Sequence, residues 1–184
     1  MLAQIVVWDG TGTNVPTAPG GWNFIRRDFV INNGNRITSW LYYKVAGASE
    51  TGPYVWTLTA SQYAAGVIGA WQGASSVLPI DNASGATAGG FSPLPDAAPS
   101  LTPAYNSELQ VYFYGAQSAV GPSITLPGAI AERMDASSSK EGFGLGFGDR
   151  AATSAGIPSP AYTAIATQDS GTLAMTAQAV LLIP

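Results

Sequence analysis

Gly20-Gly21-Trp22-Asn23-Phe24-Ile25-Arg26-Arg27-Asp28 and Arg36-Ile37-Thr38-Ser39-Trp40-Leu41-Tyr42-Tyr43-Lys44-Val45-Ala46 flank a cluster, Asn32-Asn33-Gly34-Asn35. Two β-rich runs joined by Asn and Gly read as an antiparallel hairpin, because these residues tolerate the positive φ of a tight hairpin turn. The second run is the longest strand candidate of the chain. It places Ile37, Ser39, Leu41, Tyr43 and Val45 on one face and Thr38, Trp40, Tyr42, Lys44 and Ala46 on the other. Large rings fall on both faces, so neither is fully solvated. The hairpin is expected at the centre of a two-sheet sandwich, with Trp22 and Trp40 as candidate packing anchors.

Working outward, strand candidates alternate with Gly, Pro and Asn breaks. Gln4 to Trp8 precedes the hairpin, and Pro53 to Thr59 follows it with Tyr54, Trp56 and Leu58 on one side. Ser61 to Ala65 reads as a short linker or one helical turn, and Gly66 to Trp71 as a further strand. Gly73 to Pro103, rich in Ser, Ala, Gly and Pro, is expected to be a long loop or arm on the surface, with Ile80 a brief edge strand at most. Glu108 to Gly115, Ser123 to Leu126, Ala129 to Met134, Ala161 to Thr167 and Thr172 to Leu182 are strands, and Asp135 to Lys140 a polar loop. Gly142, Gly144, Gly146 and Gly148 alternate with Phe143, Leu145 and Phe147, which makes a strand bare on one face and ringed on the other. The expected fold is all-β over one domain, 1–184: an antiparallel, jelly-roll-like two-sheet sandwich of roughly nine to eleven strands.

Composition narrows the function. Of 184 residues only 10% are charged and 46% hydrophobic, so the polar surface is mostly Ser, Thr, Asn, Gln and backbone. Seven basic residues stand against eleven acidic ones, and the basic stripe that phosphates require is missing; nucleic acid is not an expected partner. There is no Cys and no His. The chain therefore lacks disulfides, Ser-His-Asp and Cys-His catalysis, imidazole metal sites and any group that ordinarily titrates near neutral pH. Stability is accordingly expected to change gently between about pH 5.5 and 8. Met1 to Asp9 has no basic segment of a signal peptide, and Ala179 to Ile183 is far too short to span a membrane.

Each motif that suggests chemistry has a plainer structural reading. Asp9-Gly10-Thr11-Gly12 has the wrong order and no second copy for an aspartic-protease dyad, and reads as a turn. The glycine series at 142–148 lacks both the spacing and the helix of a dinucleotide loop. Glu132, Asp135 and Glu141 are the candidates for a glycosidase carboxylate pair, and nothing in the sequence fixes their separation. Asp81 and Asn82 with Asp96 are too few oxygens for Ca²⁺. Asn82-Ala83-Ser84 matches a glycosylation sequon but reads as loop. A sugar-stacking platform would use Trp40, Tyr42, Tyr112 and Tyr114, although rings at this period are more often core. No residue is assigned a catalytic, cofactor-binding or metal role, and no cofactor is expected.

Gly21-Trp22 with Ile25-Arg26-Arg27, then Leu41-Tyr42-Tyr43-Lys44-Val45-Ala46 with Glu50, Tyr54-Val55-Trp56-Thr57-Leu58, and Ala65-Gly66-Val67-Ile68-Gly69-Ala70-Trp71-Gln72-Gly73 with Pro79-Ile80-Asp81, together resemble a β-sandwich module of tailed-phage virion proteins and bacterial surface proteins. The resemblance covers most of the chain and supplies no catalytic residues. It implies a non-enzymatic structural protein of a phage particle: a head decoration or cement protein, or alternatively a tail-associated adhesin or carbohydrate-binding module. The implied location is the virion, or otherwise the bacterial cell surface. The implied partners are further copies of the chain, preferably as a trimer, a major capsid or tail protein, and surface glycans, with neither nucleic acid nor membrane. In such modules a further strand precedes the equivalent of Leu2-Ala3-Gln4-Ile5, so an open sheet edge is expected beside this segment, to be covered by a partner or by the arm.

Overall fold

A computed structural model describes residues 1–140 and 142–184. Among these it contains twelve strands, all paired antiparallel, and no helix. β2 (Asn23–Asn32) and β3 (Asn35–Tyr43) form the expected hairpin. Its turn places Asn33 at φ 48° and Gly34 at φ 87°, the left-handed backbone that Asn-Gly supplies at little cost. β1 (Leu2–Val7) and β4 (Ala64–Gly69) complete a four-stranded sheet of order β2-β3-β1-β4.

The remaining strands are β5 (Ile80–Phe91), β6 (Leu94–Ala98), β7 (Leu109–Gln117), β8 (Ser123–Thr125), β9 (Ala131–Ser138), β10 (Phe143–Ala151), β11 (Tyr162–Thr167) and β12 (Thr172–Leu182). They make a five-stranded sheet, β5-β12-β7-β10-β9, and a three-stranded sheet, β6-β11-β8. Successive strands from β5 to β8 alternate between these sheets, and β9 pairs with β10 while packing beside β8. The interleaved orders 5-12-7-10 and 6-11-8 are those of a jelly roll. The molecule thus has three layers rather than two, and the five-stranded sheet lies in the middle.

Each face of that middle sheet is buried differently. Toward β6, β8 and β11 it presents Tyr112, Tyr114 and Ala116 from β7, with Leu173, Met175, Ala177, Ala179 and Leu181 from β12. Toward β1 and β3 it presents Val111 and Phe113, Phe143, Leu145 and Phe147, and Ala174, Val180 and Leu182. Gly144, Gly146 and Gly148 form the bare row of β10, and a side chain at any of them would run into Pro122, Ile124, Leu126 or the Ala131 carbonyl. The period-two glycine series therefore sets how closely β8 approaches.

Three expectations change. The segment 73–103 is not an arm: β5 and β6 lie within it, β5 pairs along nearly its whole length with β12, and β6 pairs with β11. Its small residues are required because β2 lies across it. Side chains at Gly85 and Gly89 would overlap Asp28 and Asn32, and Arg26 and Asn32 donate to the Ala83 and Gly90 carbonyls. Residues 53–59 keep the expected alternation, with Tyr54, Trp56 and Leu58 packed inward, but they lie across the outer face of β1 and β3 and contribute only a Thr17–Thr57 bridge. Finally, β1 is paired on both sides, with β3 and with β4, so no open edge lies beside Leu2-Ala3-Gln4-Ile5; the edges of that sheet are β2 and β4. Smaller shifts occur at 61–65, where no helical turn forms, and at 135–138, where β9 continues through the expected loop.

Candidate functional site

β4 ends at Gly69, and the chain turns out of the sheet through Ala70, Trp71 and Gln72. Gly69 is required here, since any Cβ would overlap the Trp71 ring. The row of β10 that faces β1 and β3 runs Phe143, Leu145, Phe147, Asp149, so a carboxylate follows the rings at the sheet's end. Trp71 stands edge-on to Phe147, with centroids 6.1 Å apart, and its indole Nε1–H donates to Asp149 Oδ2 at 2.8 Å. Arg133 of β9 grips the same carboxylate through Nε and a terminal nitrogen, both at 2.8 Å. The Arg133 bonds, aided by Trp71, hold the Asp149 carboxyl below its ordinary range against the opposing effect of burial.

Across from Trp71 lies a second clamp. Lys44 Nζ meets Glu50 Oε1 at 2.6 Å, the Tyr54 hydroxyl donates to the same oxygen at 2.7 Å, and Gly47 N–H donates to the other at 3.0 Å. These donors, Lys44 first, hold the Glu50 carboxyl down at about 2. Between the clamps is a cleft of about 680 Å³ lined by Lys44, Glu50, Tyr54, Trp71, Gln72 and Pro79 among others. A further hollow of about 360 Å³ lies between Trp71, Gln72, Arg133 and Phe147, so the partly exposed indole borders both. That size suits a small organic ligand.

The residues singled out in the sequence fall elsewhere. Asp9 closes its own turn: Oδ1 accepts from the Thr11 N–H and hydroxyl at 2.8 and 2.7 Å, and Oδ2 from Asn14 N–H at 2.8 Å. Burial alone would raise this carboxyl, but the Thr11 hydroxyl and the backbone donors lower it, which leaves a bound structural carboxylate. Glu132 and Asp135 lie opposite Gly148 and Gly146, so the bulge in β9 puts both on one face, but both are exposed and neither lines the clefts just described. Glu141 lies outside the described residues. Asp81 accepts from Ala104 N–H at the start of β5, Asn82 Oδ1 accepts from Ala83 N–H, and Asp96 is buried in the jelly-roll core; among the described residues no acidic cluster could hold a metal ion. Trp40, Tyr42, Tyr112 and Tyr114 are all buried, so they form no exposed stacking surface.

Two features escaped the sequence reading. Trp71 lies beyond the end of β4 rather than in the strand expected over Gly66 to Trp71, and its signal is a ring at a strand's exit, followed by Gln72 and Gly73. Asp96 shares an inward face with Leu94 and Ala98. Burial raises its carboxyl to about 7, with Asp28 adding to the rise and an Ala97 backbone bond opposing it, and its Oδ2 has no hydrogen-bond partner.

Family models, curated proteins and solved structures were all compared with the chain. None matches.

Proposed function

We propose that the protein is a non-enzymatic structural protein of a phage particle, displayed on the head as a decoration or cement protein. The observation that carries this reading is the strand order of β5 to β12, a jelly roll of the kind that recurs in viral capsid domains. Jelly rolls host many functions, so the reading also draws on the chemistry of the site. It is supported by the chemistry of the acids: Asp9, Glu50 and Asp149 are each held ionised by several donors, an arrangement suited to structure rather than to proton transfer. It is also supported by apolar side chains projecting at the margins, with Val77, Leu78 and Phe91 each more than half exposed, as an assembling protein would present them. The partners proposed are the major capsid protein and further copies of the chain, preferably three around a local axis.

Density-purified particles from a culture carrying the gene test this by quantitative mass spectrometry. The chain is expected in fixed ratio to the major capsid protein, and light scattering of the purified chain is expected to give three times 18.9 kDa. Recovery only in the particle-free fraction would overturn the virion assignment.

A further inference from the structure

We propose that the cleft beside Trp71 is a binding site for neutral saccharides. The indole is mounted rigidly from three directions: its N–H is bonded to Asp149, its ring edge lies against Phe147, and its six-membered ring fills the space left by Gly69. It nevertheless remains partly exposed and forms a wall of both hollows. A flat ring fixed in this way offers the apolar face of a pyranose its C–H contacts without first losing rotamer freedom, and preorganisation of this kind favours weak ligands.

The polar rim identifies the class of ligand. Lys44, which lines the cleft, and Arg133, which lines the adjoining hollow across Trp71, are each paired with a carboxylate, Glu50 and Asp149, at 2.6 and 2.8 Å. A phosphate or carboxylate ligand would have to compete for cations already neutralised. A purely apolar ligand would leave the polar groups around it dehydrated and unmatched. A polyol matches both parts of the site: its hydroxyls can donate to Glu50 and accept from Lys44 or the exposed Gln72 amide while its ring stacks on Trp71. The paired acids also argue for binding without hydrolysis, since neither is available in protonated form as a general acid. This inference does not depend on the virion assignment, because a free surface protein could carry the same cleft.

The test uses the full chain with chitotriose, cellotriose, maltotriose and adenosine as probes, followed by saturation-transfer NMR and intrinsic tryptophan fluorescence. At least one trisaccharide is expected to bind with Kd at or below about 10 mM. Trp71→Ala is expected to weaken it at least about tenfold, and Gln72→Ala by a smaller factor. Phe91→Ala, which alters an exposed ring on a different strand, is expected to leave binding unchanged. Gln72→Ala also guards against misfolding of the Trp71 variant, because Gln72 is exposed. The proposal is overturned if no trisaccharide binds, if adenosine binds more tightly than every sugar, or if sugar binding is unchanged in both Trp71→Ala and Gln72→Ala.

Discussion

The two faces of the middle sheet are equally buried and chemically unlike. Toward β6, β8 and β11 the packing is mostly apolar, with Gln110 bonded to Ser159, and Asp96 intrudes on it as a carboxyl whose Oδ2 has no partner. Toward β1 and β3, polar groups stand amid the apolar ones and bond to one another. Gln4 Nε2 reaches Gln178 Oε1 at 3.3 Å, Gln178 Nε2 donates to Asp28 Oδ2 at 2.8 Å, and the Ser39 and Thr176 hydroxyls share a 2.6 Å bond. Asp28 is further held by Arg26, at 2.6 and 2.8 Å. A jelly roll can close on shape alone, whereas a sheet laid across it needs a means of fixing position, and directional bonds supply one. Buried polar groups are thus largely bonded to one another on one face, and on the other the burial of Asp96 favours its neutral form.

The largest expected effects come from removing volume. Tyr114→Ala on the apolar face is expected to cost about 3–5 kcal/mol, since Tyr114 is fully buried and its hydroxyl donates to the Tyr162 carbonyl at 2.6 Å. Trp40→Ala, on the aromatic layer outside β1 and β3, is expected to cost a similar amount. Chemical denaturation of both variants checks this, and an unchanged midpoint in either would place that ring outside the core.

The next effect separates the faces. Gln178→Leu keeps much of the volume but strips a donor from Asp28 and an acceptor from Gln4, and is expected to cost about 1–3 kcal/mol. If the network fixes how the sheets sit, this variant should also broaden amide NMR signals in β1 and β3; a uniformly sharp spectrum would remove that role. Tyr114→Phe is expected to have the smallest effect, about 1 kcal/mol, from loss of one bond to a carbonyl.

Much of this contrast is legible in the sequence. Asn33-Gly34 specifies its hairpin, and the alternation of Gly144, Gly146 and Gly148 with Phe143, Leu145 and Phe147 identifies the bare and ringed faces of β10. The strand β5 is not legible, because Ala83-Ser84-Gly85-Ala86 and Gly89-Gly90 lack β-branched residues; they are small to admit Asp28 and Asn32 from β2, a tertiary reason that no local pattern carries. Residues 53–59 mislead in the opposite sense, since a segment lying across a sheet buries alternate residues just as a paired strand does. The site at Trp71 depends on Arg133 and Asp149, which are distant in sequence, and no spacing rule joins them. The expectation of a gentle pH response considered histidine alone and passed over Asp96, whose neighbours Leu94 and Ala98 already placed it inward.

Asp96 also provides the most direct test. Its carboxyl is raised in the folded chain, from an ordinary 3.8 to about 7, so the folded state binds more protons than the unfolded state across that interval. Stability must therefore fall as pH rises through it and level off above pH 7 as far as this group is concerned. Glu108 is also raised by burial, so the comparison with a variant isolates Asp96. Urea unfolding of the wild type and of Asp96→Asn at pH 5 and pH 8 makes the measurement. The wild type is expected to lose about 2–3 kcal/mol between the two, and Asp96→Asn is expected to lose much less. Parallel losses in the two proteins, or a wild type that gains stability toward pH 8, would contradict an apolar face that keeps Asp96 neutral.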